Sequence, residues 1–235
     1  MLTLRKAEDR GHSNFGWLSS YHTFSFGGYL DPSHMGFRAL RVLNDDRVAP
    51  GKGFGAHGHR DMEILSYVME GKLAHKDSMG EAHELGPNEV QAMSAGTGVI
   101  HSEFNASVTE ATHFLQVWLE PSTVDVEPSY QQFAYDPSEK RGALRLIAGP
   151  ERKTNPPSAF IHQDARVYAS VLGAGDSVEY PLAAGRHAWV QCVAGELEVN
   201  GVALKAGDGV AVSDERALAL KGNGAGAELL LFDLA

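Results

Sequence analysis

His57-Gly58-His59 and His101-Ser102-Glu103 are the residues of this chain whose types and spacing can do chemistry. Two residues is the period of a β-strand, so His57 and His59 point to one face, and His101 and Glu103 do the same. If strands over residues 56–60 and 100–104 lie close together, three imidazole nitrogens and one carboxylate oxygen converge. Such a set suits one divalent ion of iron, manganese, cobalt, nickel, copper or zinc, and it offers no sulfur. An octahedral ion held by four protein groups keeps about two positions open for substrate and for water or dioxygen. One HxH pair also fits two coincidental surface histidines. An HxE pair in the same half of the chain is what raises the signal.

Other chemistries are poorly served. Cys192 is the only cysteine, which excludes intramolecular disulfides, thiolate clusters and CxxC redox chemistry. It alternates with apolar neighbours and is expected to be buried and inert. No GxSxG or P-loop occurs, and HxH is not the helical HExxH of a zinc protease. Acidic residues outnumber basic ones 30 to 20, giving a formal charge of -10. That disfavours direct nucleic-acid binding, which needs clustered Lys and Arg. Arg5, Lys6, Glu8, Asp9 and Arg10 stand where a signal peptide needs an apolar run, and no apolar run is long enough to cross a bilayer. The expectation is a cytoplasmic protein that does not bind membranes.

The elements that must position these residues are strands. Apolar residues make up 43% and charged residues 21% of 235 residues, an ordinary globular profile rather than a disordered one. Short alternating or apolar runs recur at 63–70, 72–77, 89–93, 112–119, 188–193, 196–199 and 229–232, bounded by Gly, Pro, Asn and Asp. Asn200-Gly201 predicts a two-residue type I′ hairpin. The Asp45-Asp46 pair reads as a solvated turn. Residues 121–157 hold six of the ten prolines (121, 128, 137, 150, 156 and 157) and read as a connector with short ordered pieces. The flanking halves echo each other. Tyr67-Val68-Met69-Glu70-Gly71-Lys72-Leu73 parallels Gln191-Cys192-Val193-Ala194-Gly195-Glu196-Leu197, and Leu85-Gly86-Pro87-Asn88-Glu89-Val90 parallels Ala206-Gly207-Asp208-Gly209-Val210. A repeat of about 120 residues is a duplicated domain, since solenoid periods run about 20–50. The expected fold is all-β, two tandem antiparallel barrels with short connecting helices. Residues 1–120 are expected to form the metal-binding barrel, 121–165 the connector and 166–235 a second barrel.

Several motifs resemble a known family. Gly51-x5-His57-x-His59-x3-Glu63 fits the first cupin motif, with its closing glycine one residue late at Gly71. Gly98-x2-His101-x3-Asn105 keeps part of the second, whose proline is replaced by Gly96. The runs 95–103 and 20–26, with Tyr29-Leu30-Asp31-Pro32, are similar to the pirin branch of the cupins. The runs 54–65 and 230–234 resemble the bacterial pirin-like quercetinases, quercetin 2,3-dioxygenases. The resemblance spans the chain and is densest from residue 5 to 120. It implies a jelly-roll bicupin with one metal in the N-terminal barrel, iron by preference, and none in the C-terminal barrel. It also implies a choice that spacing leaves open. Most cupins would use Glu63 as a ligand, whereas pirin-like proteins use the acid two residues after the third histidine. The implied metal set is therefore His57, His59, His101 and Glu103, with Glu103 also the catalytic base and Glu63 structural.

The implied activity is cleavage of the central ring of a flavonol such as quercetin by dioxygen, with release of carbon monoxide. Two alternatives stand beside it. One is an iron-dependent redox-sensing co-regulator that binds a partner protein; the other is a cupin enzyme acting on a different enolisable substrate. A monomer is expected, because two fused barrels supply each other's packing. Phe26, Phe54, Met93, Phe114, Gln116 and Trp118 are candidates to flank a flat substrate, though strand parity keeps some of them in the core. His75 and His113, on expected strands, either support a ligand or are ordinary structural histidines.

Overall fold

A computed structural model describes residues 1–235, and almost every ordered element in it is a strand. Two 3-10 turns, Ala7–Asp9 and Pro137–Lys140, are its only helical pieces, and no helix is long and apolar enough to cross a membrane. The chain divides into two compact units. One comprises Gly11–Tyr135 with Glu151–Gln163, the other Met1–Arg10, Asp136–Pro150 and Asp164–Ala235. Each is a cupin-type antiparallel barrel.

In the first unit, seven strands form one sheet in the order Ser129–Ala134, Glu89–Ser94, Glu63–Glu70, Thr112–Leu119, Leu40–Val48, Leu18–His22, Gly11–Asn14. Four more form a second sheet in the order Gly53–His59, Val99–Asn105, Leu73–Asp77, Ala82–Leu85. All the pairings are antiparallel. The strand Val99–Asn105 shows why the alternation matters. Val99, His101, Glu103 and Asn105 are buried while Ile100 and Phe104 are exposed. One face of the strand therefore supplies apolar packing at one end, an imidazole and a carboxylate in the middle, and a polar clasp at the other end. In that clasp Asn105 Nδ2 donates to the carbonyls of Val48 and Glu110, and Oδ1 accepts from the Ser107 amide. Leu18, Val48, Val68, Leu73, Leu85 and Phe114 pack into a core below the polar belt.

Glycine sets how closely the two histidine-bearing strands approach. A Cβ on Gly53 would stand 2.2 Å from the Glu103 carbonyl oxygen and 2.5 Å from Phe104 Cα. The residue at the second motif's proline position, Gly96, has φ +45°, with a would-be Cβ 2.0 Å from the Val126 carbonyl oxygen. Proline is fixed near −65°, so this turn cannot hold one.

The second unit carries the strands Leu2–Arg5, Gly209–Val212, His187–Val199, Ala217–Leu234, Ala165–Leu172 and Arg145–Gly149 in spatial order, with Ser177–Pro181 and Val202–Lys205 paired to the ends of the two long strands. The runs read at 188–193 and 196–199 are one bulged strand. Val199 pairs with Val202 across Asn200 (φ 46°) and Gly201 (φ 82°), the expected hairpin. Its interior is aliphatic, with Leu172, Val190, Leu197, Leu204, Leu229 and Leu231 all buried around Cys192. Burial pushes the Cys192 thiol up to about 12, which makes it inert. The strand Leu2–Arg5 pairs with Gly209–Val212, so residues 1–10 belong here rather than with the barrel that follows them in sequence. Within the stretch read as a connector, Ser129–Ala134 and Arg145–Gly149 are full sheet strands.

The repeat has a physical counterpart in Gly71 and Gly195, with φ of +74° and +76°. A Cβ at Gly195 would meet the Gly226 carbonyl oxygen at 2.0 Å. Gly195→Ala is expected to cost more than about 1 kcal/mol, a fall in Tm of about 2–4 °C or more. Gly185→Ala, at φ +79° but with nothing within 4 Å, should cost less. Equal losses in a thermal melt would show that close approach is not what fixes glycine at 195.

Candidate metal centre and cavity

His57 and His101 face each other across the paired strands Gly53–His59 and Val99–Asn105, and His59 pairs with Val99. The three rings of His57, His59 and His101 lie with centroids 4.5–4.8 Å apart. One ring nitrogen from each belongs to a group whose atoms all lie within 4.8 Å of one another. His59 Nε2 and His101 Nε2 are 3.0 Å apart. Two lone pairs held that close repel unless a proton or a cation lies between them.

The surrounding hydrogen bonds fix which nitrogens are free. His57 Nδ1–H donates to the Gly55 carbonyl at 2.8 Å, which leaves Nε2 with its lone pair. His101 Nδ1 faces His75 Nδ1 at 3.4 Å, and His75 Nε2 lies 3.0 Å from Asp77 Oδ2. With Asp77 accepting from His75 and His75 accepting from His101, the Nε2 lone pair of His101 is left facing His59. Burial, and then the charge of His57, pushes His59 down to about 4. Burial, followed by His57, His59 and His75, pushes His101 down to about 3. Both are therefore neutral near pH 7 with lone pairs to share. Three imidazoles that bring one ring nitrogen each to a common point, two of them held neutral, are a donor set for a divalent transition ion, so these residues fit one.

Glu103 is buried beside this cluster. Its Oε2 accepts from Gln116 Nε2 at 2.7 Å and its Oε1 from Ser66 Oγ at 3.2 Å. It falls in a second close group with His75 and His101, not in the compact group of three histidines. Burial pushes its carboxyl above the usual carboxylate range, opposed by His75 and by the two hydrogen bonds. His57, His59, Glu103 and Gln116 open onto a cavity of about 170 Å³ with aromatic walls from Phe26, Phe54 and Trp118, room for about six waters. Trp118 stands edge-on to both His59 and Phe26.

Comparison with known proteins gives the family. The Pirin family model matches residues 3–119, and the model described as the quercetinase C-terminal cupin domain matches 146–234. A protein of Escherichia coli K12 named quercetin 2,3-dioxygenase is 44% identical over 234 residues, covering 100% of this chain and 99% of its own. A pirin-like protein of Caulobacter vibrioides is 38% identical with both chains fully covered. The crystal structure of the bacterial pirin YhhW from Escherichia coli in complex with nickel(II) superposes with a TM-score of 0.93 at 44% identity, covering 100% of this chain and 99% of that one.

The chain belongs to the pirin family.

Within this pirin barrel, several other sequence-level candidates find their places. Glu63 is engaged elsewhere: its Oε2 accepts from Ser94 Oγ at 2.7 Å and its Oε1 lies 3.2 Å from His162 Nδ1. Burial raises its carboxyl. His75 supports His101 from behind, and His113 is held at 2.6 Å by Asp45. Met93 and Phe114 are fully buried core residues, whereas Phe26, Phe54, Gln116 and Trp118 reach the cavity. Asp45-Asp46 is not a solvated turn. Both lie inside the strand Leu40–Val48, and Asp46 is 3% exposed and lines the cavity. The pair sits mid-strand because each carboxylate has a place: Asp45 meets His113, and Asp46 faces inward opposite Ser20 and Phe114. His22, also on the cavity wall, bonds Asn44 Oδ1 and Ser13 Oγ at 2.9 Å each. Its run, 20–26, stood out in the sequence only through the family resemblance.

Two predictions follow from the histidine chain. His75→Leu removes the acceptor that orients His101 and is expected to weaken divalent-metal affinity about 10–100-fold, measured by competition with a chromogenic chelator; unchanged affinity would show that His101 needs no such support. The second concerns pH. His59 and His101 bind protons at lower pH when folded than when unfolded, so the unfolded chain takes up more protons between about pH 6.5 and 3. Metal-free protein should lose Tm as pH falls through that window, and His59→Gln should flatten the slope. An equal slope in the variant would refute the assignment.

Proposed function

We propose that this protein is a metal-dependent dioxygenase that opens the central ring of a flavonol such as quercetin. The observation that carries the reading is the convergence of His57, His59 and His101 at the edge of an aromatic-walled cavity that also contains the buried Glu103. The names of full-length relatives support it. The three histidines would hold the ion, and Glu103 would complete the set. A divalent ion supplies Lewis acidity toward an acidic hydroxyl and, when redox-active, one-electron chemistry toward dioxygen. Iron is our choice among the metals that such donors accept.

The protein's own groups handle the substrate and the proton. A flavonol has an acidic 3-hydroxyl beside a 4-carbonyl on a flat ring system. Phe26, Phe54 and Trp118 supply flat apolar contact for it and exclude water. Glu103 takes the 3-hydroxyl proton at a carboxylate oxygen, as a general base held beside the cavity. Gln116 and Ser66 fix the carboxylate before the transfer. One flavonol and one dioxygen give one carbon monoxide and one depside ester, so the proton returns to the product and Glu103 is regenerated.

The test is aerobic turnover of quercetin by iron-loaded protein, following flavonol absorbance and carbon monoxide together. The two should match, and both should vanish in His59→Ala. Glu103→Gln should lose at least about 100-fold in turnover while keeping more of its metal. Equal loss of metal and turnover would reduce Glu103 to a ligand. Bound metal with no carbon monoxide from the wild type would overturn the reading.

A further inference from the structure

The seven-stranded sheet faces the histidine cluster with a polar wall that the reaction, as proposed, uses only in part. Asn44 and Asp46 on the strand Leu40–Val48 share an inward face with Ser20 and His22 on one neighbouring strand and with Phe114, Gln116 and Trp118 on the other. Most of these polar groups are satisfied within the wall. His22 is held by Asn44 and Ser13, and Gln116 by Glu103. Asp46 is the exception. Ser20 hydrogen-bonds its carboxylate, yet Oδ1 has no partner although the residue is 3% exposed. A second orphan sits on the same wall, the indole Nε1–H of Trp118. Both residues line the cavity.

Buried carboxylate oxygens without a partner are rare because the group has given up water for nothing. Asp46 and Trp118 both line the cavity, and the acceptor and donor they leave without partners are groups that a polar, flat ligand can satisfy once the side chains turn toward it. We infer that Asp46 is a substrate-binding residue that takes a phenolic hydroxyl of the aromatic ligand, with the Trp118 indole N–H as its companion donor. The substrate class is thereby narrowed to polyhydroxylated aromatics, beyond those carrying only the reacting enol. Burial, ahead of the neighbouring Asp45 and Glu103 charges, pushes the Asp46 carboxyl up to about 7. A hydroxyl suits such a group, since it donates to the ionised form and accepts from the neutral one. Asp46 makes no bond to the reacting centre, so its role is recognition.

The proposal rests on the flavonol reading, and its test separates the two. Metal-loaded protein without dioxygen is titrated by fluorescence with quercetin and with 3-hydroxyflavone, which keeps the enol but lacks the other hydroxyls. The wild type should prefer quercetin. Asp46→Leu should lose about tenfold or more in quercetin affinity and little for 3-hydroxyflavone, which removes the preference. Asp46→Asn, which keeps a polar group and the shape, should retain part of it. Relieving an orphaned buried carboxylate should leave the Tm of Asp46→Asn unchanged or higher, whereas a structural role lowers it. Equal loss for both ligands, or no loss for either, overturns the assignment while the flavonol reading stands. Failure of the wild type to bind either ligand overturns both.

Discussion

The antiparallel pairing of Gly53–His59 with Val99–Asn105 is the interaction on which the rest depends. It sets His57 opposite His101 and brings His59 within reach. Because side chains alternate with a period of two, a slip of one residue in either strand would turn its histidines outward. The close approach of these strands requires Gly53, and the bulge between His101 and Glu103 lets the partner strand continue toward Phe54 after the histidines are placed. The strand Leu73–Asp77, on the other side of Val99–Asn105, pairs His101 with Asp77 and Glu103 with His75. The support for His101 and Glu103 is thus laid down by the same register that places them.

What could be read from sequence was local. HxH and HxE carry the strand period in themselves, and Asn200-Gly201 carries its own turn geometry. Segments 63–70 and 112–119 coincide with the observed strands. What could not be read depends on partners far along the chain. Glu63 is answered by His162 and Asp45 by His113, 99 and 68 residues away. Without those partners, two adjacent aspartates look like a turn. The role of His75 stayed open in the sequence because it comes from the pairing of its strand rather than from any pattern around it.

The two barrels show how one scaffold separates stability from chemistry. In the unit of Asp164–Ala235 the interior is filled with aliphatic side chains down to the buried Cys192, and cohesion is its evident result. In the unit of Gly11–Tyr135 the corresponding space is interrupted by His22, Asp46, His101, Glu103 and Gln116, all buried. Such a polar interior is tolerable because nearly every member has a partner, and it is held in place by strands on both sheets.

The placement of Leu2–Arg5 has a consequence for biosynthesis. This strand is made early, but its partner Gly209–Val212 lies about 200 residues later. At about 5–20 residues per second the strand waits about 10–40 s for that partner to be translated. In the interval the intervening barrel can close, while Leu2 and Leu4 remain an unpaired edge open to other nascent chains. The sheet of this unit is thus closed by two strands whose synthesis is separated by nearly the whole of the other barrel.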